Sequence, residues 1–301
     1  MTAGGKKQSN LEQAFRSLGE GKTLSRENII SLINIKDEAG RKRLYEQAYR
    51  RKKANVGRRV YFRGIIEMGN ICEKDCFYCG IRRSNRDVKR YLMDADEIVR
   101  TASRVYENHY GSLVLQAGEQ TSAAAAAMVE DVLQRIRDIT DGQLRVTLSL
   151  GEQPAETFER WFKAGAHRYL LRIETTNEEL YKKLHPEDHS LEKRLHCLRI
   201  LREIGYQVGT GVMIGLPEQT AEDLADDILF YKQEDIDMIG MGPYLPHAST
   251  PMQSLFPEFH FDPERQFLMG LNMIAVTRIV LKDVNIAATT ALQALDPRGR
   301  E

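Results

Sequence analysis

Three of the four cysteines of this 301-residue chain lie within eight residues, in the run Cys72-Glu-Lys-Asp-Cys76-Phe-Tyr-Cys79. So dense a group of thiols constrains the chain strongly, because clustered thiolates bind zinc or iron–sulfur clusters. Structural zinc prefers four ligands, typically in two spaced pairs. The remaining cysteine, Cys197, stands far away in a helical pattern and reads as a buried thiol. Three thiolates therefore favour a [4Fe–4S] cluster with one iron left open over a zinc site.

Charge and composition exclude some partners. The 43 Lys and Arg residues balance 43 Asp and Glu residues, which argues against the broad basic footprint of a nucleic-acid-binding protein. No stretch reaches the ~18 apolar residues that a membrane span needs. The N-terminus MTAGGKKQSN also lacks an apolar signal core. We therefore expect a cytoplasmic protein with no membrane partner, in a compartment where thiols stay reduced and free to bind metal.

Short apolar runs alternate with longer helical patterns from residue 60 onward, which is typical of βα units around a parallel sheet. Residues 11–56 show helical periodicity alone. We predict an N-terminal helical extension over residues 1–58 and an α/β barrel of (β/α)8 TIM type over residues 59–301. The predicted strands are residues 60–68, 112–117, 144–150, 168–175, 207–215, 238–242 and 284–290. Predicted helices between them include residues 123–139, 155–164, 191–204 and 221–233.

The predicted barrel lacks its eighth βα unit. Eleven residues follow Thr290, too few for another helix and strand. Either the barrel stays open on one side or the chain is a truncated form of a longer protein. Because an open barrel has two unpaired sheet edges and an exposed apolar flank, we expect reduced stability or a compensating partner.

Residues two apart near the ends of three predicted strands, most of them polar, would share a face. The pairs are Gln116 with Gly118, Thr147 with Ser149, and Arg172 with Glu174. Residues two apart in a strand share a face, whereas a strand buried on both faces is expected to be apolar. Arg172 and Glu174 would form either a buried ion pair or a site for a zwitterionic ligand. Because barrel enzymes carry their functional groups on the loops after the strands, we predict one polar cavity beside the cysteine run.

The cysteine run, with its C-x3-C-x2-C spacing and an aromatic residue before the last cysteine, resembles the cluster loop of radical S-adenosylmethionine (SAM) enzymes. The segment Gln116-Ala-Gly-Glu119 resembles their Gly-Gly-Glu motif, with Ala117 in place of the first glycine. Gly211-Val-Met-Ile-Gly215-Leu-Pro-Glu218 resembles the motif that lies against the adenine. In that superfamily SAM binds the open iron, and the reduced cluster cleaves it to a 5′-deoxyadenosyl radical.

Five further runs resemble the HydE family of [FeFe]-hydrogenase maturases more closely than biotin synthase or methylornithine synthase. They are residues 63–67, 147–152, 168–175, 242–251 and 286–290. The resemblance covers roughly residue 60 to the C-terminus and, more loosely, the N-terminal helices. Members of the family continue well past the end of this chain.

The resemblance implies residue roles that composition and spacing do not show by themselves. Cys72, Cys76 and Cys79 would ligate the cluster. The residues implied in SAM binding are Tyr78, Gly118, Glu119, Ser149, Glu174, Arg194 and Gly215. The residues implied to face the substrate cavity are Gln116, Thr147, Arg172, Met213, Thr289 and Thr290. The implied substrate is small and organometallic or amino-acid-like, an iron–cyanide–carbonyl–cysteine complex from a partner radical SAM maturase. Its diiron product would pass toward a GTPase scaffold.

Two alternatives stay open. A lysine mutase like methylornithine synthase would keep the same SAM-binding residues. A non-catalytic fragment that binds a cluster, or nothing, would agree with the missing eighth unit, but the intact cysteine run, Glu174 and Arg194 oppose it. The histidines 185, 189 and 196 are interpreted as structural residues, and His247, in a long loop, is a further candidate for the cavity.

Overall fold

A computed structural model describes residues 3–299 of the chain, with side chains from residue 10 onward. The outermost residues of the two predicted parts, 1, 2, 300 and 301, lie outside it. Within the described range the helices are α1 (Ala3–Gly19), α2 (Arg26–Ile33), α3 (Glu38–Asn55), α4 (Ala95–Glu107), α5 (Ala123–Ile139), α6 (Ala155–Ala164), α7 (Glu178–Leu184), α8 (Leu191–Ile204), α9 (Ala221–Gln233), α10 (Met252–Leu255), α11 (Pro263–Leu281) and α12 (Thr290–Leu295). The strands are β1 (Gly64–Gly69), β2 (Ser112–Ala117), β3 (Arg145–Ser149), β4 (Ala166–Leu170), β5 (Gln207–Thr210), β6 (Met213–Ile214), β7 (Met238–Ile239), β8 (Gly242–Pro243) and β9 (Asn285–Ile286).

Seven strands form one parallel sheet in the order β1-β2-β3-β4-β5-β7-β9. The short strands β6 and β8 pair beyond the ends of β5 and β7. Two predicted strands, residues 207–215 and 238–242, are therefore each divided in two. Predicted strand 168–175 is regular only to Leu170, although Leu171 and Ile173 still donate to the carbonyls of Gly209 and Gly211.

The sheet curls into a half-barrel with helices around it, which confirms the predicted TIM-type fold class. Over residues 3–299, β1 and β9 are the two edges of the sheet and pair with no further strand. Exposed apolar side chains lie beside the β1 edge, at Val60, Tyr61, Phe62 and Ile65. No helix in this range has the length and apolarity needed to cross a membrane.

An aromatic group joins the helices to the outer face of the sheet. Tyr169 of β4 lies between Phe158 and Trp161 of α6, with ring centroids 4.9 and 6.5 Å away. Trp161 Nε1 donates to the Ala126 carbonyl at 2.9 Å, and the Tyr206 hydroxyl donates to the Phe158 carbonyl at 2.7 Å. Because tyrosine and tryptophan bury large apolar areas only when their polar atoms are paired, these bonds fix how α5 and α6 pack on the sheet.

The N-terminal helices pack on the barrel through a polar contact. α2 and α3 lie against α11, and α2 also lies against α9. Asn272 of α11 is 2% exposed and donates to the carbonyls of Ile33 and Ile35, both at 3.1 Å. Its Oδ1 accepts from the Tyr45 hydroxyl at 2.9 Å. The division of the chain near residue 58 stays a prediction, but one apolar core is shared across it.

Replacing Asn272 with alanine is expected to lower the free energy of unfolding by about 3 kcal/mol, because two buried carbonyls and one hydroxyl lose their partner. Urea unfolding followed by Trp161 fluorescence measures the change. Asn55→Ala is the matched control, since Asn55 is exposed and donates within its own helix at 2.8 Å. Similar losses in both variants would contradict the special role of Asn272.

Candidate active site

The cysteine run lies directly after β1, at the carboxyl end of the sheet, where the predicted cavity was expected. Glu73 N donates to the Glu119 carbonyl at 2.8 Å, and Gly118 N donates to the Gly69 carbonyl at 3.2 Å. A Cβ at Gly118 would lie 2.2 Å from the Ile71 carbonyl oxygen and 2.8 Å from the Cys72 Cβ. Glycine therefore allows the end of β2 to pack directly against the cysteine run.

The three thiols are free to act as ligands. Cys76 is buried, Cys72 and Cys79 are partly exposed, and all three are free of disulfides. Burial raises the pKa of Cys76 to about 12 and also raises the pKa of Cys79. Among the side chains that the structure describes, no group of three or more His, Cys, Asp or Glu is arranged to hold one metal ion. A [4Fe–4S] cluster distributes its cysteine ligands over different irons, so its ligands need not converge on one atom.

Arg90 holds the carboxyl side of the cysteine run. Its Nη1 donates to the carbonyls of Asn70 and Ile81 at 2.5 and 2.8 Å. Its Nη2 donates to the carbonyls of Arg82 and Asn85 at 2.7 and 3.1 Å. The planar fork of the guanidinium thus joins the segment before the cysteines to the segment after them, a geometry that lysine cannot reproduce.

Arg90→Lys is expected to loosen residues 79–85, since a lysine ammonium can satisfy fewer of these four carbonyls. Amide hydrogen exchange of that segment should become about tenfold faster, equivalent to the loss of one or two hydrogen bonds. Arg86→Lys, at an exposed arginine nearby, is the control and should exchange like the original chain. Unchanged exchange in Arg90→Lys would show that residues 79–85 keep their conformation without the hydrogen bonds of Arg90.

Two histidines support the cysteine run from the α7–α8 connection. His189 Nε2 accepts from the Asp75 backbone at 3.2 Å. His185 is 3% exposed, stacks on Tyr181 with centroids 3.9 Å apart, and lies 3.2 Å from the Tyr78 hydroxyl. Burial lowers the pKa of His185 to about 3, so its ring stays neutral near pH 7. These contacts give the histidines a structural role around Tyr78, in line with the interpretation from the sequence.

A buried ion network lies beside the cysteines. Lys74 Nζ stands 2.9 Å from Glu152 Oε2 and 3.3 Å from Glu119 Oε1. Arg194 Nε stands 2.9 Å from Glu152 Oε1, and Arg194 Nη1 donates to the Arg172 carbonyl at 2.8 Å. Glu119 Oε2 also accepts from Glu152 N at 2.8 Å. Both carboxylate oxygens of Glu119 are therefore engaged within the protein, so this side chain serves the network and is not presented to a ligand.

The side chains of the cavity lie in rows across the sheet. Glu67 pairs with Gln116, and Gln116 pairs with Ser149, so these three residues form one row. Arg172 Nη2 lies 2.9 Å from Glu174 Oε2 and donates to the Val212 carbonyl at 3.1 Å. Arg172 and Glu174 therefore form an ion pair, which is compatible with both interpretations from the sequence, a structural pair and a site for a zwitterionic ligand.

Three buried polar atoms of this cavity have no hydrogen-bond partner within the described residues. They are Thr147 Oγ1, Arg172 Nε and Glu174 Oε2, although Glu174 Oε2 still forms the ion pair with Arg172 Nη2 at 2.9 Å. A buried polar atom left unpaired costs about 1–3 kcal/mol, so native proteins seldom keep several of them together without a function. A polar ligand with both charges, as SAM and amino acids have, fits such a set of donors and acceptors.

The other predicted site residues lie around the same end of the sheet. Met213 is buried on β6, and Gly215 has a positive φ of 75°, with its carbonyl accepting from Gln266 Nε2 at 2.8 Å. Thr289 donates to the Met241 carbonyl at 3.1 Å, and Thr290 is exposed in the first turn of α12. The ring of His247 lies over Gly80, next to Cys79. Their roles toward SAM or substrate stay predictions.

Sequence reasoning missed several residues that shape this site. They are Glu67, Lys74, Arg90, Glu152 as an ion-pair partner, and Asp227. For Arg90 no local signal existed, since its four acceptors are backbone carbonyls. Asp227 did have a local sequence signal. It lies in the buried stripe of α9, between Leu224 and Tyr231, where an apolar residue is expected.

The chain is similar in sequence to known proteins. The profile of the Radical SAM superfamily matches residues 66–231. The [FeFe] hydrogenase maturase subunit HydE of Thermotoga maritima is 43% identical over 282 residues, which cover 94% of this chain and 78% of the relative. The 3-methylornithine synthase of Methanosarcina acetivorans is 24% identical over 288 residues, covering 95% of this chain and 79% of that protein.

Solved structures share the fold. The crystal structure of methylornithine synthase (PylB) superposes with a TM-score of 0.82 at 22% identity, covering 95% of this chain and 83% of that one. The [FeFe]-hydrogenase maturase HydG from Carboxydothermus hydrogenoformans gives a TM-score of 0.79 at 20% identity, covering 96% and 68%. At these identities the superpositions establish the fold, while the matching profile and the 43% identity establish the family. The chain is therefore a radical SAM enzyme that belongs to the family of the [FeFe] hydrogenase maturase subunit HydE.

Proposed function

We propose that this chain reductively cleaves SAM and uses the resulting radical to assemble the diiron active site of [FeFe]-hydrogenase. The observation that carries the proposal is a group of buried polar atoms beside the three free cysteines. Within the described residues Thr147 Oγ1 and Arg172 Nε have no hydrogen-bond partner, and Glu174 Oε2 is held only by its ion pair with Arg172. The 43% identity to the Thermotoga maritima maturase directs the chemistry toward hydrogenase assembly. The enzyme would act in the cytoplasm.

Cys72, Cys76 and Cys79 would hold a [4Fe–4S] cluster. When bound, the cluster and SAM together supply a 5′-deoxyadenosyl radical, and the protein contributes orientation and exclusion of water. Arg90, His189 and the ion network keep the loop of cysteines in place against β2.

SAM would lie against the ends of β2 to β6. Glu174 and Ser149 would meet its polar groups, and Arg194, held by Glu152, would supply a cation. The backbone carbonyls of Gly118 and Glu119 would accept from the amino group, that of Glu119 through the lone pair that Glu73 N leaves free, since the Glu119 side chain is engaged by Lys74. Tyr78 and Gly215 would flank the adenine.

The substrate would occupy the barrel beneath SAM. Arg172 Nε would donate to an anionic group and the Thr147 hydroxyl to another polar group, since neither has a hydrogen-bond partner in the described part of the chain. Gln116, Met213, Thr289 and Thr290 would complete the wall. A small organometallic or amino-acid-like molecule suits this mixture of one cation, hydroxyls and a thioether. Transient contacts with a partner radical SAM maturase and a GTPase scaffold would deliver the substrate and accept the product.

Electron paramagnetic resonance of the anaerobically reconstituted, reduced protein tests the proposal. We expect a cubane signal that shifts when SAM is added, together with 5′-deoxyadenosine as a product. A cluster whose signal does not change when SAM is added, or the absence of a cluster, would contradict the proposed function. Activation of an apo-hydrogenase then tests the assembly role, whereas conversion of lysine would instead indicate a mutase like methylornithine synthase.

A further inference from the structure

Glu174 stands in a strained turn. Its φ is 65°, in the left-handed region that residues other than glycine seldom adopt. Thr175 N donates to the Ile173 carbonyl at 2.8 Å, which closes a three-residue γ-turn with Glu174 at its centre. Such a conformation costs about 1–3 kcal/mol and persists only where the surroundings hold it in place.

The strand side of this turn is held by the neighbouring segment of the sheet. Glu174 N donates to the Gly211 carbonyl at 3.1 Å, and Met213 N donates to the Glu174 carbonyl at 3.1 Å. These bonds fix the chain where it enters the turn. These two hydrogen bonds do not hold the segment after the turn, which runs through Thr176 toward α7.

Two carboxylates of α9 hold the departing side: Asp223 accepts from Asn177 Nδ2 at 2.8 Å, and Asp227 holds Thr176, the residue closer to the turn. Asp227 Oδ1 accepts from Thr176 N at 2.8 Å and from the Thr176 hydroxyl at 2.7 Å. Asp227 lies on α9, fully buried, and its Oδ2 has no hydrogen-bond partner in the described part of the chain. Burial raises the pKa of this carboxyl to about 7. A carboxyl group at a fully buried position lowers the stability of the fold. Its presence on α9 is explained if its hydrogen bonds to Thr176 are needed by the site.

We propose that Asp227 is a positioning residue, which through Thr176 holds the strained turn that aims the Glu174 carboxylate into the cavity. The contact of Glu174 with SAM belongs to the function proposed above, on which this assignment rests. Without the two bonds to Thr176, the turn can relax toward ordinary extended backbone. The Glu174 side chain would then leave the position in which it faces Arg172.

Four variants test the role of Asp227. Asp227→Ala removes the acceptor, and Thr176→Val removes the hydroxyl at nearly constant shape. Asp227→Asn and Thr176→Ser are the conservative partners, since each keeps the group that makes the bonds. The readouts are SAM affinity of the reconstituted protein, hydrogen exchange of residues 173–177, and the thermal midpoint.

We expect Asp227→Ala and Thr176→Val to weaken SAM binding about tenfold and to speed local exchange, as the loss of one or two hydrogen bonds predicts. Asp227→Asn and Thr176→Ser should stay within about twofold of the original affinity, because the bonds to Thr176 survive. Asp226→Ala is the control on the same helix: this half-exposed neighbour pairs with Arg26 on α2, away from the turn, so its loss should leave SAM affinity unchanged. Recovery by the conservative variants separates positioning from a general loss of stability.

Two outcomes overturn the inference. One is unchanged SAM affinity in both Asp227→Ala and Thr176→Val, whatever their thermal midpoints. The other is an Asp227→Asn variant as weak as Asp227→Ala, which would make the charge and not the hydrogen bonds decisive. If the original chain does not bind SAM, the proposed function fails, and hydrogen exchange alone tests the role of Asp227. Faster exchange of residues 173–177 in both variants then supports that role. Unchanged exchange overturns it.

Discussion

Replacing Cys76 with alanine is expected to abolish the formation of 5′-deoxyadenosine, with a loss of more than about a hundredfold, since even the outer partners of metal ligands contribute 10–100-fold. Cys76 is the most buried of the three clustered thiols, and its side chain is small. Stability of the protein without its cluster should therefore change little. Iron content, the resonance signal of the reduced cluster and chromatography of the nucleoside measure the effect.

Cys197→Ala is the matched control for Cys76→Ala. Cys197 is equally buried, at 8% exposure, but lies on α8 outside the cysteine run. Both variants remove one thiol from a buried position, so any difference between them reports on ligation of the cluster. If Cys197→Ala loses as much iron as Cys76→Ala, or if Cys76→Ala keeps its cluster, the assignment of the three ligands is wrong.

Arg194→Met is expected to lower the free energy of unfolding by about 3–5 kcal/mol, because it leaves buried acceptors without their cation. Arg194 is 7% exposed, and its guanidinium serves both Glu152 and the Arg172 carbonyl. Binding of SAM should fall as well, since the end of β4 loses its support. Urea unfolding of the protein without its cluster measures the stability term separately from binding.

Arg199→Met on the same helix is the control for Arg194→Met, since Arg199 is exposed and its loss should cost no more than about 0.5 kcal/mol.

The double variant Arg194→Met with Glu152→Gln tests the ion pair directly. We expect the double variant to lose less than the sum of the two single variants, because removing both partners leaves fewer unpaired charges. Additive losses would show that Arg194 and Glu152 do not stabilise each other.

The alternation of apolar runs and helical patterns predicted the fold closely. The helices over residues 123–139, 155–164, 191–204 and 221–233 have the predicted bounds, since serine or threonine caps and glycine or polar ends mark most of them locally. The strands were predicted less well where the sheet meets the site. Residues 168–175 end as a regular strand at Leu170, because the turn at Glu174 is set by Gly211, Met213 and Asp227, which are distant in sequence.

The pair Arg172 and Glu174 shows what a pattern can and cannot settle. Alternation in a strand placed both side chains on one face, and the structure brings them to 2.9 Å. Whether they serve only each other depends on the remaining donors and acceptors around them. Arg172 Nε has no hydrogen-bond partner within the described residues, and Glu174 Oε2 is held only by its ion pair with Arg172; this depends on how the surrounding segments pack.

The sequence by itself determined the chemistry that this protein can carry: three thiols at a spacing that suits a cluster, polar residues on one face of successive strands, and a βα repeat that brings strand ends together. These are local properties, because spacing and side-chain period act over a few residues. Tertiary structure alone decided which groups hold the site in shape. Arg90 on backbone carbonyls, Glu119 locked by Lys74, and Asp227 beneath the Glu174 turn are contacts between distant segments. Hydrogen bonds and buried ion pairs depend on distances of about 3 Å, which only the folded chain sets.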